Sequence, residues 1–264
     1  MYIFIIDIMT IIIFQRSLMF LLGLSFGSFY ALIIDRLPLA IIHNHSIKAI
    51  FIGHSRCLDC HTRLAWQSKI PVLSYLYQKG HCRYCHSHIP LRLLIIELIS
   101  GLLFLGCDLH YQNNTTTFFM ILFGSAGLIL AVIDMSYHLL PDIITLPMIW
   151  VGLIFNIMTG TSSDLNSAIL AVISGYVISA SISLGFIWLR RKPGLGLGDA
   201  KCIAMIGAWT GIETLFHIVF ESTALAACVI CLLILFKRHD KNQPFPFGPF
   251  LLITSFIQLN YLYQ

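Results

Sequence analysis

The chain has 264 residues, of which 58% are hydrophobic and only 11% are charged, and its mean hydropathy is +0.85. Water-soluble globular proteins carry about 25% charged residues, so this composition excludes a soluble globule. The net charge of +4 is small, and its distribution along the chain is more informative than its size. The sequence therefore predicts an integral membrane protein.

Apolar segments in chain order predict an all-α polytopic fold with about eight transmembrane helices. A membrane helix needs roughly 20 mainly apolar residues. The predicted crossings are residues 17–34, 93–107, 118–133, 143–158, 165–189, 200–209, 215–236 and 250–262. The apolar stretch 3–14 has no basic segment before it, so we expect the first helix to be retained rather than cleaved as a signal peptide. Asp35 to Pro38 is interpreted as the polar end of that helix, and a turn is predicted near Gly211 to Thr214.

The basic residues mark one side of the membrane. Eight of the sixteen lysines and arginines lie between Arg36 and Arg92, four between Arg190 and Lys201, and three between Lys237 and Lys241. Short cytoplasmic loops carry the excess of positive charge in membrane proteins. Eight crossings put all three regions on the same face, so we expect them to be cytoplasmic, with both termini on the other side.

Four cysteines in the first basic region form two CxxC pairs. Cys57 and Cys60 are separated from Cys82 and Cys85 by 21 residues. This spacing is typical of a structural zinc site, in which four thiolates form a closed tetrahedron. Two disulfides or four free thiols are the alternatives. We predict a Zn²⁺ ion that stabilises a domain too small for a robust core of its own.

Histidines crowd the same segment but are not expected to be ligands, because four cysteines already complete the zinc shell. They are His61, His81, His86 and His88. Zinc knuckles can bind RNA. Here the basic residues already have a topological role and can contact the anionic lipid of the membrane, so no nucleic-acid partner is expected.

Carboxylates at membrane depth are costly, and their default interpretation is functional. On the predicted topology Asp134 and Asp199 both lie at cytoplasmic helix ends, where they can face each other. Two carboxylates in one site share a proton, one acting as base on a water and the other as acid, which is the chemistry of aspartyl proteolysis. For the string Gly196-Leu197-Gly198-Asp199 taken alone, a flexible loop with a helix-capping aspartate is the alternative.

Three further carboxylates have weaker functional interpretations. Asp142 follows Pro141 and is expected to cap the next helix. Glu97 is interpreted as a polar tether between helices or as part of a cofactor pocket, and Glu221 has no partner that the sequence identifies.

Taken together, these motifs resemble those of the bacterial type IV prepilin peptidases, the GxGD-type membrane aspartyl proteases. The resemblance rests on the following motifs, from about Gly23 to Phe250: Phe26-Gly27-Ser28-Phe29, Arg36-Leu37-Pro38, the four cysteines with Leu64-Ala65-Trp66 and Ile70 to Leu76 between them, Glu97, Ile133-Asp134, Leu140-Pro141-Asp142, Thr145-Leu146-Pro147, Gly196 to Lys201, Gly207-Ala208-Trp209 and Pro246-Phe247-Gly248-Pro249. The chain departs from the family at Ala31, where an asparagine is usual.

The resemblance implies the residues and the two activities of a bifunctional enzyme. Asp134 and Asp199 match the catalytic aspartates, and Cys57, Cys60, Cys82 and Cys85 match the zinc ligands. The implied activities are cleavage of prepilin or pseudopilin leaders and methyl transfer from S-adenosylmethionine to the new N-terminal amine. Glu97 is the candidate residue for that cofactor.

These inferences divide the chain into three expected regions. Residues 1–35 form a first transmembrane region, 36–92 a cytoplasmic zinc-binding domain, and 93–264 a transmembrane aspartyl peptidase bundle in the bacterial inner membrane. The alternative from another functional class is a non-enzymatic membrane scaffold or transporter with a zinc-stabilised loop, in which the aspartates relay protons or ions.

Overall fold

The computed structural model describes residues 2–44, 57, 59–60, 62–63, 65, 70–160, 165–190, 196–236 and 245–263. Regular structure in these ranges is helical. The helices are α1 (Tyr2–Ile42), α2 (Leu73–Tyr77), α3 (Leu91–His110), α4 (Asn114–Tyr137), α5 (Asp142–Thr159), α6 (Leu165–Arg190), α7 (Leu197–Leu235) and α8 (Gly248–Leu262).

Six of the described helices are long and apolar enough to cross a membrane: α1 from Met9 onward, and α3 to α7. Helix α8 is a shorter apolar helix of 15 residues. Large hydrophobic side chains are exposed along these helices, including Trp188 at 83% and Phe220 at 75%. A bilayer would cover such a surface, so the prediction of an all-helical multi-pass membrane protein is confirmed.

The chain forms two compact units, residues 1–121 and 122–264. In the first unit α1 packs closely against α3, because small residues lie where the two backbones meet. A Cβ atom on Gly27 would come within 2.6 Å of the Glu97 Cα atom, and one on Gly23 within 2.6 Å of the Ser100 carbonyl oxygen.

The predicted polar end of the first helix is wrong, because α1 continues through Asp35 and Pro38 to Ile42. The Asp35 carboxylate accepts a hydrogen bond of 2.5 Å from the Arg92 guanidinium, at the start of α3. Because Arg92 compensates the negative charge of Asp35, the helix does not have to end there to expose the carboxylate to water. Helix α4 also extends four residues beyond its predicted segment at each end.

The second unit is built around a buried tryptophan on α7. The Trp209 indole is fully buried, lies 5.3 Å from the Phe155 ring, and donates from Nε1 to the Met148 carbonyl at 2.9 Å. The Asn156 side chain donates to the Ala208 carbonyl at 2.7 Å. These contacts attach α7 to α5 and so determine where the start of α7 lies.

Helix α7 is broken at Gly211, whose φ of 75° and ψ of 175° are not helical. A Cβ atom on Gly175 of α6 would lie 3.1 Å from the Leu215 side chain and 3.2 Å from that of Ile203. A continuous helix would place these two residues about 18 Å apart along its axis. The chain therefore folds back at Gly211, which confirms the predicted turn, and glycine tolerates the positive φ that the turn requires.

Candidate functional site

The four predicted cysteines lie together in the first unit. Their Sγ atoms are all within 4.8 Å of one another. The Cys57 and Cys85 sulfurs are 3.8 Å apart. A zinc tetrahedron with Zn–S bonds of about 2.3 Å has edges of about 3.8 Å. The donor set and its spacing therefore fit a tetrahedral metal ion.

Two tight turns present these sulfurs. At the second turn the Cys82 amide donates to the Ser87 carbonyl at 2.8 Å, and the His86 amide donates to the Cys82 carbonyl at 2.9 Å. At the first turn the Cys57 amide donates to the Thr62 carbonyl at 3.1 Å. Each pair of sulfurs is thus oriented by hydrogen bonds within a few residues of its own CxxC motif.

Hydrogen-bond donors around two of the sulfurs, those of Cys57 and Cys85, favour the thiolate form that binds metal. The Cys60 amide, assisted by the Asp59 amide and the Ser87 hydroxyl, lowers the pKa of Cys57 to about 6. The Ser87 hydroxyl, 3.0 Å from the Cys85 sulfur, also lowers the pKa of Cys85. Ser87 was not singled out in the sequence, because its role depends on lying between two sulfurs from different turns.

The described histidines of this segment, His81, His86 and His88, are not part of the sulfur cluster. Among the described residues, the cluster with metal-ligand geometry contains only the four cysteines. The His81 and His88 rings face each other at 4.3 Å across an antiparallel bridge. His61 lies outside the described residues.

Asp134 and Asp199 lie in the second unit, each at a helix end. Asp134 is 5% exposed near the end of α4, and its Oδ2 atom accepts a 2.9 Å hydrogen bond from the Gly248 amide. Asp199 is half-buried in the first turn of α7, where its Oδ2 accepts a 3.1 Å hydrogen bond from the Gly196 amide. Asp199 is therefore the third residue of α7 and binds the amide of the N-cap residue, Gly196, but it is not itself the N-cap.

Leu140 lies in the link between α4 and α5, close to a glycine beside each aspartate: Gly198, which precedes Asp199, and Gly248, which binds Asp134. A Cβ atom on Gly198 would lie 3.3 Å from Leu140 Cβ, and one on Gly248 would lie 3.3 Å from Leu140 Cδ2. The Asp134 and Asp199 carboxyls are close enough to interact electrostatically, and both also interact with the buried Cys202 thiol. Both aspartates therefore lie in the same region of the second unit, around Leu140 and Cys202.

The other carboxylates make structural contacts. Helix α5 has Pro141 at its N-cap and no side-chain cap, so the capping prediction for Asp142 is wrong. Asp142 lies one residue too far along the chain for that role, and its Oδ2 accepts a 2.6 Å hydrogen bond from the Lys201 ammonium. Glu221 accepts hydrogen bonds of 2.9 Å at both carboxylate oxygens from the Gln258 amide.

Glu97, on α3, holds the segment that precedes α2. Its Oε2 atom accepts a 2.8 Å hydrogen bond from the Val72 amide, and the Ser28 hydroxyl also hydrogen-bonds to it. Val72 has a φ of 59°, a conformation that a β-branched residue rarely adopts. The contact with Glu97 helps to stabilise that unusual backbone.

Comparison with protein families gives two matches that together cover most of the chain. Residues 21–111 match the bacterial peptidase A24 N-terminal domain, and residues 121–233 match the type IV leader peptidase family. These matches confirm the resemblance inferred from the motifs.

Curated relatives carry the name prepilin leader peptidase/N-methyltransferase. One from Aeromonas hydrophila is 32% identical over 260 residues, covering 92% of this chain and 89% of the relative. Another, from Burkholderia pseudomallei (strain 1026b), is 34% identical over 256 residues, covering 90% and 82%. A third, from Klebsiella pneumoniae, is 38% identical over 199 residues, covering 75% and 86%.

No solved structure gives a significant match to the chain. The two family models together match most of the chain, and the relatives are at least 32% identical over most of their own length. This chain therefore belongs to the type IV leader peptidase family.

Proposed function

We propose that this protein is a membrane-embedded prepilin leader peptidase and N-methyltransferase, which cleaves the leader from type IV prepilins or pseudopilins and methylates the new N-terminal residue. The proposal is carried by the pairing of Asp134 and Asp199 in one site at the ends of two membrane helices. It is supported by the family membership and by the names of the relatives.

Asp134 and Asp199 are proposed as the catalytic residues. The ionised member of the pair takes a proton from a water molecule, whose oxygen attacks the carbonyl carbon of the scissile peptide bond. The protonated member then gives its proton to the leaving amine as the C–N bond breaks. Because two carboxylates that interact electrostatically are not readily ionised at once, we propose that the pair supplies one base and one acid.

Cys57, Cys60, Cys82 and Cys85 are proposed to hold a structural Zn²⁺ ion. The ion would cross-link the two turns and contribute folding free energy to a segment with few buried side chains. The spacing of the sulfurs supports this proposal.

The methyl donor implied by the family is S-adenosylmethionine, which supplies an electrophilic methyl group to the freed amine. Glu97 is retained as the candidate cofactor-binding residue. The hydrogen bonds that its carboxylate accepts from Val72 and Ser28 are also those of a tether. We therefore derive no step of the methyl transfer from it.

The proposed topology has eight crossings, obtained by counting the two halves of α7 separately and by including α8. It places the zinc-binding domain, residues 36–92, on the cytoplasmic side of the bacterial inner membrane, between the first and second crossings. The peptidase bundle, residues 93–264, then has its aspartates at the cytoplasmic face. A substrate with a basic leader and an apolar helix fits this arrangement, because its leader stays in water while its helix lies in lipid. Nucleic acid has no place in this scheme.

The dyad is tested by co-expressing a prepilin with the Asp134→Ala and Asp199→Ala variants and measuring its mass. Each variant should lower cleavage at least about a hundredfold, because each removes the acid or the base. Glu221→Ala is the matched control, since it removes a carboxylate from the same unit. Unchanged cleavage in either aspartate variant would contradict the dyad.

A further inference from the structure

Resting on the proposed peptidase function, we infer that Gly248 is a positioning residue for Asp134. Its backbone amide holds one oxygen of the catalytic carboxylate, and its missing side chain makes room for that contact. Gly248 is 114 residues from Asp134 in the sequence.

The hydrogen bond has the features of a specific anchor. The Gly248 amide lies 2.9 Å from Asp134 Oδ2, and both residues are buried. Gly248 is the first residue of α8, and the first amides of a helix have no partner within the helix. These amides also carry the partial positive charge of the helix N-terminus, which favours an anionic partner.

Position 248 requires glycine because a side chain would not fit there, and not because of its backbone conformation. A Cβ atom on residue 248 would lie 2.8 Å from Asp134 Oδ2 and 3.2 Å from its Cγ. Gly248 is not among the glycines with positive φ, so alanine could adopt its backbone conformation. An alanine there would therefore push the carboxylate away while leaving the backbone unstrained.

The contact bears on catalysis because it orients Asp134 from another helix. With Oδ2 held by the amide, the position of Oδ1 is determined, and a donor to the carboxylate favours its ionised form. Among the described residues, the charged or titratable groups that interact with Asp134 are Asp199 of α7, His138 just beyond the end of α4, and the Cys202 thiol of α7. Asp199 differs from Asp134 in this respect, because its amide partner, Gly196, precedes it by three residues in the same segment.

The test is steady-state cleavage of a prepilin by purified full-length Gly248→Ala enzyme, with rates normalised to the folded fraction. We expect kcat to fall by about tenfold to a hundredfold, which corresponds to the free energy of one hydrogen bond to a charged group. KM should stay within about twofold, because the substrate contacts are not altered. The acidic limb of the pH–rate profile should move to higher pH, because the carboxylate loses a donor that favours its ionised form.

Gly185→Ala is the matched control, since a Cβ atom there would meet nothing within 4 Å. This control should cleave at the normal rate. A Gly248→Ala enzyme with normal kcat and an unmoved acidic limb would overturn the inference.

A second experiment distinguishes displacement of the Asp134 carboxylate from a packing clash with Leu140. It compares the double variant Gly248→Ala with Leu140→Val against Leu140→Val alone. The valine removes Leu140 Cδ2, which at 3.3 Å is the atom nearest to a Cβ on residue 248 after Oδ2 and Cγ of Asp134. Recovery of kcat in the double variant would show that the clash with Leu140 mattered and would overturn the inference. If kcat stays low in the double variant, the inference about Gly248 is supported. If instead Asp134→Ala cleaved normally, the proposed function would fail whatever Gly248→Ala did.

Discussion

The cysteine cluster and the aspartate site are assembled in opposite ways. The four sulfurs come from residues 57–85 and are oriented by hydrogen bonds inside their own turns, such as the Cys82 amide to the Ser87 carbonyl. Asp134 and Asp199 come from two helices, α4 and α7, and the amide that holds Asp134 comes from a third, α8.

This difference determines how each site can fail. A local cluster depends on its own side chains and on the metal that joins them. A site assembled from several helices depends also on distant residues that shape its surroundings, such as Leu140 and Gly248. The comparison is tested by variants that remove either a local ligand or a contact between distant parts of the chain.

The largest effect is expected from removing a thiolate. Cys57→Ser or Cys82→Ser should lower the zinc content of the purified protein from about one ion per chain to a small fraction, because a closed tetrahedral site tolerates few missing ligands. Zinc is measured by elemental analysis. The helical circular dichroism signal should persist, since the helices are held by apolar packing of their own.

Cys228→Ser is the control for this prediction, because Cys228 is an exposed cysteine outside the cluster. Asp134→Ala should also keep its zinc. A protein that retained zinc after either cluster substitution would refute the four-thiolate site.

A smaller effect is expected from pH and from Ser87. The pKa of Cys57 is lowered from 9.0 to about 6, so its thiolate is present above that range and is lost as the pH falls through about 6. Zinc should therefore be held at neutral pH and released on acidification, as a chromogenic chelator would report. In Ser87→Ala the release midpoint should lie at higher pH, because a donor to two sulfurs is gone.

Thr62→Ala is the control hydroxyl, since Thr62 Oγ1 donates to the Cys60 carbonyl at 3.5 Å rather than to a sulfur. Its release midpoint should match that of the unsubstituted protein. Equal midpoints in the Ser87 and Thr62 variants would show that Ser87 does not lower the pH at which the cluster releases zinc.

The smallest effect is expected from the ion pair between Lys201 and Asp142. Their side chains are 28% and 53% exposed, and partly exposed pairs contribute about 0–1 kcal/mol to stability. A double-mutant cycle with Lys201→Met and Asp142→Asn, measured by thermal unfolding, should give a coupling within that range. A coupling of several kcal/mol would mean that this tertiary contact, like that of Gly248, determines the position of the aspartate site.

The sequence predicted the local features well because their causes are local. The CxxC spacing places two pairs of sulfurs on two turns, and the four sulfurs do lie together. Gly211 breaks an apolar run, and the chain folds back there. The apolar segments identified membrane helices because a bilayer requires length and hydrophobicity, which a sequence shows directly.

The predictions that were wrong concern residues whose partners are distant in the sequence. Asp35 does not end α1, because Arg92, 57 residues away, pairs with it. Asp142 does not cap α5, because it lies one residue past the N-cap, and its carboxylate instead binds Lys201, 59 residues away. In both cases the partner lies more than 50 residues away in the sequence, so no local pattern could identify it.

By itself, then, the sequence determined the membrane character, the four-cysteine cluster and the candidate aspartates, since composition, spacing and motif express them. Only the tertiary structure decided that the Gly248 amide holds Asp134, that Leu140 lies against both glycines of the site, and that Ser87 lies between two sulfurs. The physical reason is that hydrogen bonds and close packing act over a few ångströms. Folding alone brings residues as far apart as 114 positions within that distance.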